Sequence, residues 1–359
     1  MGHRSRHGGT WRTTKQPSVR HGASWRTVSA AWVRQNGVWV KWWPDLPDRG
    51  GPYIFGNLIT TGPGIAAFDG TVWAGVGGGL SLDIEQVSVG DDGSLLALQR
   101  ISNGLRKWDG SSWANLGTAA GTSKLSWGVN AGVGYPNGAH FTSRIDVAGG
   151  STADTYIAVD GALYTGWQFD AFSSIASVGQ FAVNDFGCAA FSEGNFTSPG
   201  SGGRAWVDAS DWSAGFASGS SSGLSQYADI AVLGLDRQIY ATRSTSFGGG
   251  TYYVCRMATA NTFTQLGSGG FGGRVMDIEA LPDGRVWACG GAIGLHEWDG
   301  STWTNITGGL SYPVALSFHQ GLLWILDGSS PTARTVWSYD GTTLALVSNF
   351  TGDTVRGLS

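Results

Sequence analysis

Residues 278–310, IEALPDGRVWACGGAIGLHEWDGSTWTNITGGL, decide the fold class. The stretch opens on Ile-Glu, turns at Asp283-Gly284, runs through the apolar VWAC, breaks at Gly290-Gly291 and turns again at WDGSTW before a last strand. Residues 84–117, IEQVSVGDDGSLLALQRISNGLRKWDGSSWANLG, repeat the same order of features. Asp-Gly between two apolar runs is a strong hairpin signal: a two-residue type I′ turn needs positive φ at both central residues, and Gly adopts it without steric cost. The flanking aromatics, Trp298 and Trp303 here, are expected to sit close across the hairpin and pack against the next copy.

Weaker copies fill the rest of the chain: FDGTVW from Phe68, VDGALY from Val159, VDASDW from Val207, ATANTF from Ala258 and YDGTTL from Tyr339. The residues aligned with the Asp fall at 69, 109, 160, 208, 260, 299 and 340, a mean spacing near 45. Four-stranded propeller blades take roughly 40–50 residues. The expectation is an all-β, seven-bladed β-propeller, with six or eight blades as alternatives. Asp69, Gly70, Asp109, Gly110, Asp160, Gly161, Asp299, Gly300, Asp340 and Gly341 are read as turn formers. A second turn, at Asp92-Gly93, Asp283-Gly284 and Gln320-Gly321, is expected to join the two inner strands of a copy. Residues 352–359, GDTVRGLS, look like the start of a copy, as in GGRVMDIEA from Gly272. They are expected to supply the missing innermost strand of the first blade and so remove an open edge.

Composition agrees. The chain of 359 residues holds 59 Gly and 18 Trp with only 13% charged residues, which favours short strands and tight turns over helical layers. Residues 1–50 carry nine Lys or Arg against two Asp; the other 309 carry thirteen basic and twenty-four acidic residues, a net −11. An acidic body argues against nucleic acid as its partner. Cys188, Cys255 and Cys289 form no CxxC pair, so neither a disulfide framework nor a zinc site is expected. Cys289 lies in an apolar run and reads as a buried, inert thiol. No cofactor motif, catalytic constellation, signal peptide or membrane-length apolar stretch stands out. His140, His296 and His319 are isolated in sequence.

The segment 1–43 is a different kind of sequence, basic and rich in Trp. Its six Trp, at 11, 25, 32, 39, 42 and 43, are interleaved with basic residues, and Asn36-Gly37 marks a hairpin in AAWVRQNGVWVKWW. So many Trp in a segment too small to bury them suggest a partner surface. Residues 44–51 read as a Pro/Gly linker, leaving 52–359 for the propeller.

The VSVGDDG strand followed by WDGSSW resembles the tectonin-type propeller lectins across most of 51–359. That resemblance implies a blade plan and raises the prospect of glycan binding, with no binding residue identified. The aromatic–basic strands of the leader are similar to segments of tailed-bacteriophage tail and fibre proteins. This implies a structural virion component, a minor tail or fibre protein made in the host cytoplasm and residing in the tail. The leader would dock on other tail proteins through Trp11, Arg12, Trp25, Arg26, Trp32, Arg34, Trp39, Lys41, Trp42 and Trp43. The propeller would face a host cell-surface glycan, without enzymatic activity, cofactor, metal, nucleic acid or membrane insertion. The alternative is a free-standing, lectin-like glycan-binding propeller.

Overall fold

The computed structural model describes strands throughout the chain. With side chains it describes residues 51–59, 64–77, 80, 83–89, 95–99, 106–108, 110–115, 232, 234–236, 238–245, 250–258 and 262–359. Two compact units result, Met1–Pro47 and Asp48–Ser359.

Where the sequence marks one hairpin in the leader, about Asn36-Gly37, the structure has three. His3–His7 pairs with Thr10–Thr14, Ser18–His21 with Ser24–Thr27, and Ala31–Gln35 with Val38–Trp43. Each pair is an antiparallel sheet of two strands.

The second unit holds seven four-stranded antiparallel sheets. Six are meanders, at 84–118, 124–168, 178–218, 227–265, 277–306 and 313–351. The remaining one, first in chain order, is composite: Thr354–Leu358 stands in its first position, followed by Tyr53–Asn57, Ile65–Phe68 and Trp73–Gly75. The first strand of every sheet lies beside the first strand of the next, and Thr354–Leu358 touches both Pro313–His319 and Ile84–Val89. The sheets therefore stand in a closed ring, their first strands innermost.

This arrangement explains the uneven hydropathy of the strands. A sheet stacked between two neighbours buries both faces, so its second strand loses the apolar–polar alternation of a half-exposed strand. Leu95–Gln99 and Val286–Gly290 are buried at every position, whereas the outermost Trp303–Ile306 has no buried residue. The cores lie between sheets. Tyr53, Phe55 and Ile65 pack on Ile84, Val87 and Leu95; Tyr240, Tyr252 and Val254 pack on Ile278, Val286 and Trp298.

A recurring device closes the outer part of two described seams. The indole N–H of Trp113 donates to the carbonyl oxygen of Val76 at 3.2 Å, and that of Trp303 to the carbonyl oxygen of Leu266 at 3.0 Å. Both acceptors lie 37 residues earlier, just beyond the outer strand of the preceding sheet. The next residue is a glycine with positive φ in each case, Gly77 (+65°) and Gly267 (+74°). A Cβ there would stand 2.6 Å from the Trp108 ring and 2.8 Å from the Trp298 ring. The aromatics expected to face each other do so, Trp108 with Trp113 at 5.3 Å and Trp298 with Trp303 at 5.5 Å between centroids.

The composite sheet joins the two ends of the unit by the same rules. The Tyr53 and Ser359 backbones exchange two hydrogen bonds of 2.8 Å, and the ladder runs from Leu358 opposite Ile54 to Thr354 opposite Asn57. Val355 and Leu358 are buried with Ile54, Trp324, Leu326 and Phe350. Arg356 donates to both carboxylate oxygens of Asp83, at 2.8 and 3.1 Å, and so ties this strand to the following sheet. On the other side Trp73 Nε1 donates to Ser348 Oγ at 2.9 Å, an indole bridge to the preceding sheet across the chain termini.

Two outcomes follow for stability. Deleting 352–359 exposes a strand edge and removes two buried apolar side chains worth about 1.5–3 kcal/mol each. The melting midpoint should fall by several degrees and aggregation on heating should appear; an unchanged midpoint would show that the ring does not depend on this strand. Gly267→Ala should cost more than Gly300→Ala, about 1–3 kcal/mol by denaturant titration, because both have positive φ but only Gly267 lies against a ring. Equal costs would remove the seam from the account.

Candidate functional site

The WDG turns have a chemistry that differs from the sequence expectation. A type I′ turn would give the Asp a positive φ, yet Gln320 is the only non-glycine residue with positive φ among those described. The strand partners are Phe68 with Trp73, Trp298 with Trp303 and Tyr339 with Leu344, so each connection holds four residues, not two. Asp299 Oδ1 accepts the Ser301 and Thr302 backbone N–H groups at 2.7 and 2.8 Å; Asp69 and Asp340 do the same with Thr71 and Val72, and with Thr342 and Thr343. The carboxylate takes over two backbone donors, so only the following glycine needs positive φ: Gly70 (+100°), Gly300 (+100°) and Gly341 (+97°). Gly110 has the same conformation at +99°; Asp109, Asp160 and Gly161 lie outside the described residues. The hydrogen bonds from Thr302 and Ser301 hold the Asp299 carboxyl at about 2. These carboxylates are exposed and occupied by their own turns. The type I′ turn occurs instead at Gln320-Gly321, with φ of +51° and +84° between the paired residues His319 and Leu322.

The docking residues expected in the leader fall on the three hairpins, Trp11 and Arg12 on Thr10–Thr14, Trp25 and Arg26 on Ser24–Thr27, Trp32 and Arg34 on Ala31–Gln35, and Trp39, Lys41, Trp42 and Trp43 on Val38–Trp43. Successive residues of a strand face opposite sides, so Arg12 and Arg26 belong to the faces opposite Trp11 and Trp25. The register puts other arginines on the Trp faces: Arg6 opposite Trp11, Arg20 opposite Trp25 and Arg34 opposite Trp39. Arg6 and Arg20 are absent from the sequence-derived set. Their signal was the fixed interval from Arg to Trp, five residues each time.

Within the ring, a pair of half-buried carboxylates went unread in the sequence. Asp277 and Glu279 lie two apart on the innermost strand of their sheet. Asp277 accepts the Ile278 N–H and, from the next innermost strand, the Leu316 N–H, both at 2.8 Å. Glu279 repeats the pattern, accepting the Ala280 N–H at 3.1 Å and the Phe318 N–H at 3.2 Å. The two side chains thus satisfy alternate amides of a strand that has no ladder on that side. Burial raises the Asp277 carboxyl to about 7 against the opposing pull of its two amide bonds. The triplet Asp-Ile-Glu recurs at 83–85, where Asp83 holds Arg356, and this repetition was the available signal. Elsewhere Asp327 accepts the Ser311 and Tyr312 N–H groups, and Asp353 the Ile59 N–H, each pinning a connection.

The histidines sit in separate settings. His296 Nε2 lies 3.0 Å from the Ile293 carbonyl oxygen, with its ring against Phe271; His319 Nε2 lies 2.8 Å from Ser317 Oγ and its ring is edge-on to Tyr53. His140 lies on His140–Asp146, whose side chains are outside the described set. Cys255 and Cys289 are buried free thiols, and burial pushes Cys255 to about 11 and Cys289 well above its ordinary value. Among the described residues no group of three or more His, Cys, Asp or Glu is placed to hold a metal ion.

No family model and no curated protein matches this sequence. Solved structures do. A putative 6-phosphogluconolactonase from Bacteroides fragilis matches with a TM-score of 0.55 at 12% identity, over 88% of this chain and 99% of that one. An acylaminoacyl peptidase from Pyrococcus horikoshii matches with a TM-score of 0.50 at 8% identity, over 80% of this chain and 48% of the peptidase. The β-propeller domain of the Trilobed protease from Pyrococcus furiosus matches at 8% identity with a TM-score of 0.47, over 74% of this chain and 84% of that one. At such identities the likeness concerns the fold alone. The closed ring of four-stranded antiparallel sheets by itself makes the second unit a β-propeller.

Asp277 makes stability depend on pH. A carboxyl whose pKa is raised on folding contributes stability that is full below its unfolded value of 3.8 and is lost as pH rises through about 7. The wild-type melting midpoint should decline by a few degrees between pH 5 and 8.5, and Asp277→Asn should flatten most of that decline. An identical slope in the variant would show that Asp277 is not the group responsible.

Proposed function

We propose that this chain is a structural protein of a tailed-phage tail, a minor tail or fibre component. Its seven-bladed propeller is presented outward to a host-surface glycan, and its leader docks on other tail proteins. The observation that carries the reading is the division of the chain into two units of opposite character, a basic, Trp-rich set of two-stranded hairpins and an acidic closed ring. Two-stranded sheets are marginal alone, whereas a propeller buries its own cores. One unit is suited to a partner, the other to independent display.

Support also comes from the connections of the ring. The inner carboxylates and turn aspartates described above accept hydrogen bonds from backbone amides, as a scaffold requires. The glycan-binding residues are unassigned.

Electron microscopy of phage particles with gold-labelled antibody against 52–359 is the test. Label at the tail periphery, lost when residues 1–47 are deleted while the isolated propeller stays folded by circular dichroism, supports the reading. Label on the head, or docking that survives the deletion, overturns it.

A further inference from the structure

The leader contains one hairpin three times. Arg6-His7-Gly8-Gly9-Thr10-Trp11-Arg12-Thr13 becomes Arg20-His21-Gly22-Ala23-Ser24-Trp25-Arg26-Thr27 and then Arg34-Gln35-Asn36-Gly37-Val38-Trp39-Val40-Lys41, with a constant step of 14 residues. The backbone keeps that step. In each copy two residues separate the paired strands, and the second cross-strand pair outward from them joins an Arg to a Trp: Arg6 with Trp11, Arg20 with Trp25, Arg34 with Trp39. Cross-strand partners share a face, so each hairpin has one face bearing Arg and Trp next to its connection. The residue two beyond the Trp on that face is Thr13, Thr27 or Lys41.

We infer that these three faces form a trivalent docking element for a protein surface carrying a repeated acidic site. The inference rests on the docking role proposed for the leader and specifies its partner. Charge supplies the first argument. The six strands contain seven Arg or Lys and no Asp or Glu; the two acidic residues of the leader, Asp45 and Asp48, follow the last strand. No carboxylate within the hairpins is available to pair with these arginines, and the guanidinium fork matches a carboxylate in bidentate geometry. Trp is the cross-strand register partner of Arg in each copy, and Arg with Trp is the composition of binding hot spots. The second argument is the docking role itself: the partners proposed for the leader are other tail proteins, whose anionic groups are side-chain carboxylates, not the phosphates of a nucleic acid or bilayer. The third is repetition. Three equal sites in one short segment act by effective concentration, so affinity grows multiplicatively only if the partner repeats its own site within reach.

The test uses the full chain with poly-L-glutamate as the repeated-carboxylate probe, beside a 30-base-pair DNA duplex and phosphatidylserine vesicles, at 50 and 200 mM salt. Poly-L-glutamate should bind most tightly. R6Q, R20Q and R34Q should each weaken it by about tenfold, with the triple variant abolishing binding. R6K, R20K and R34K should retain part of it, because charge persists without the fork. An unchanged propeller melting midpoint controls for folding. Tighter binding of DNA or vesicles, no binding of poly-L-glutamate, or dependence on one hairpin alone would overturn the inference. The microscopy above is independent: stepwise poly-L-glutamate binding by a protein absent from the tail would sink the virion reading and leave the trivalent element standing.

Discussion

The ring depends on a contact made between sheets. An outer-strand Trp sends its indole N–H to a carbonyl just past the preceding outer strand, and a left-handed glycine beside that carbonyl makes room for the ring of the Trp on the adjoining strand, Trp108 or Trp298. The half-buried indoles of Trp113 and Trp303 gain an acceptor for their N–H groups, and a strand end leaves a carbonyl without a ladder partner. Each satisfies the other. The contact appears at Trp113 with Val76 and at Trp303 with Leu266, and with Ser348 as acceptor it spans the two chain ends at Trp73. Seams held both by this outer bridge and by an inter-sheet apolar core can be stacked in a circle without a special joint.

The inner seams use a different currency. Near the ring centre, neighbouring first strands share no ladder, so some amides face a neighbouring strand without a carbonyl opposite. Carboxylates at Asp277 and Glu279 supply the missing acceptors for Leu316 and Phe318, while at the joint Asp83 meets Arg356. Burying a carboxylate is costly unless its oxygens are occupied, and two amides each are what these side chains receive. The ring is therefore apolar between sheets and polar at its inner edge, where Asp277 and Glu279 are occupied by backbone amides.

The leader works by other physics. Strands of four to six residues in sheets of two are marginal by themselves, unlike the stacked sheets of the propeller. Their constant feature is register: each copy pairs Arg with Trp at the same place. A repeated binding face needs that constancy, whereas a hairpin serving only as packing for one neighbour would not need three copies in step.

Much of this was legible in the residues. The WDGS-x-W copies announced the hairpins and their facing aromatics, and the mean spacing near 45 announced a four-stranded repeat, because turn chemistry and strand periodicity are local properties. The likeness of GDTVRGLS to GGRVMDIEA pointed to the strand that now lies beside Tyr53–Asn57. What local reading could not supply was the turn type, since an Asp side chain accepting two amides relieves the need for a second positive φ. It also missed the roles of Gly77 and Gly267, which exist only because a Trp 31 residues later, in the next sheet, lies over each. Asp277 and Glu279 look like ordinary polar strand residues until the neighbouring strand turns its amides toward them. The sequence by itself determined the repeat, the hairpins and the charge division between leader and body. Tertiary structure alone decided which glycines, carboxylates and indoles carry the ring, because their partners come from another sheet.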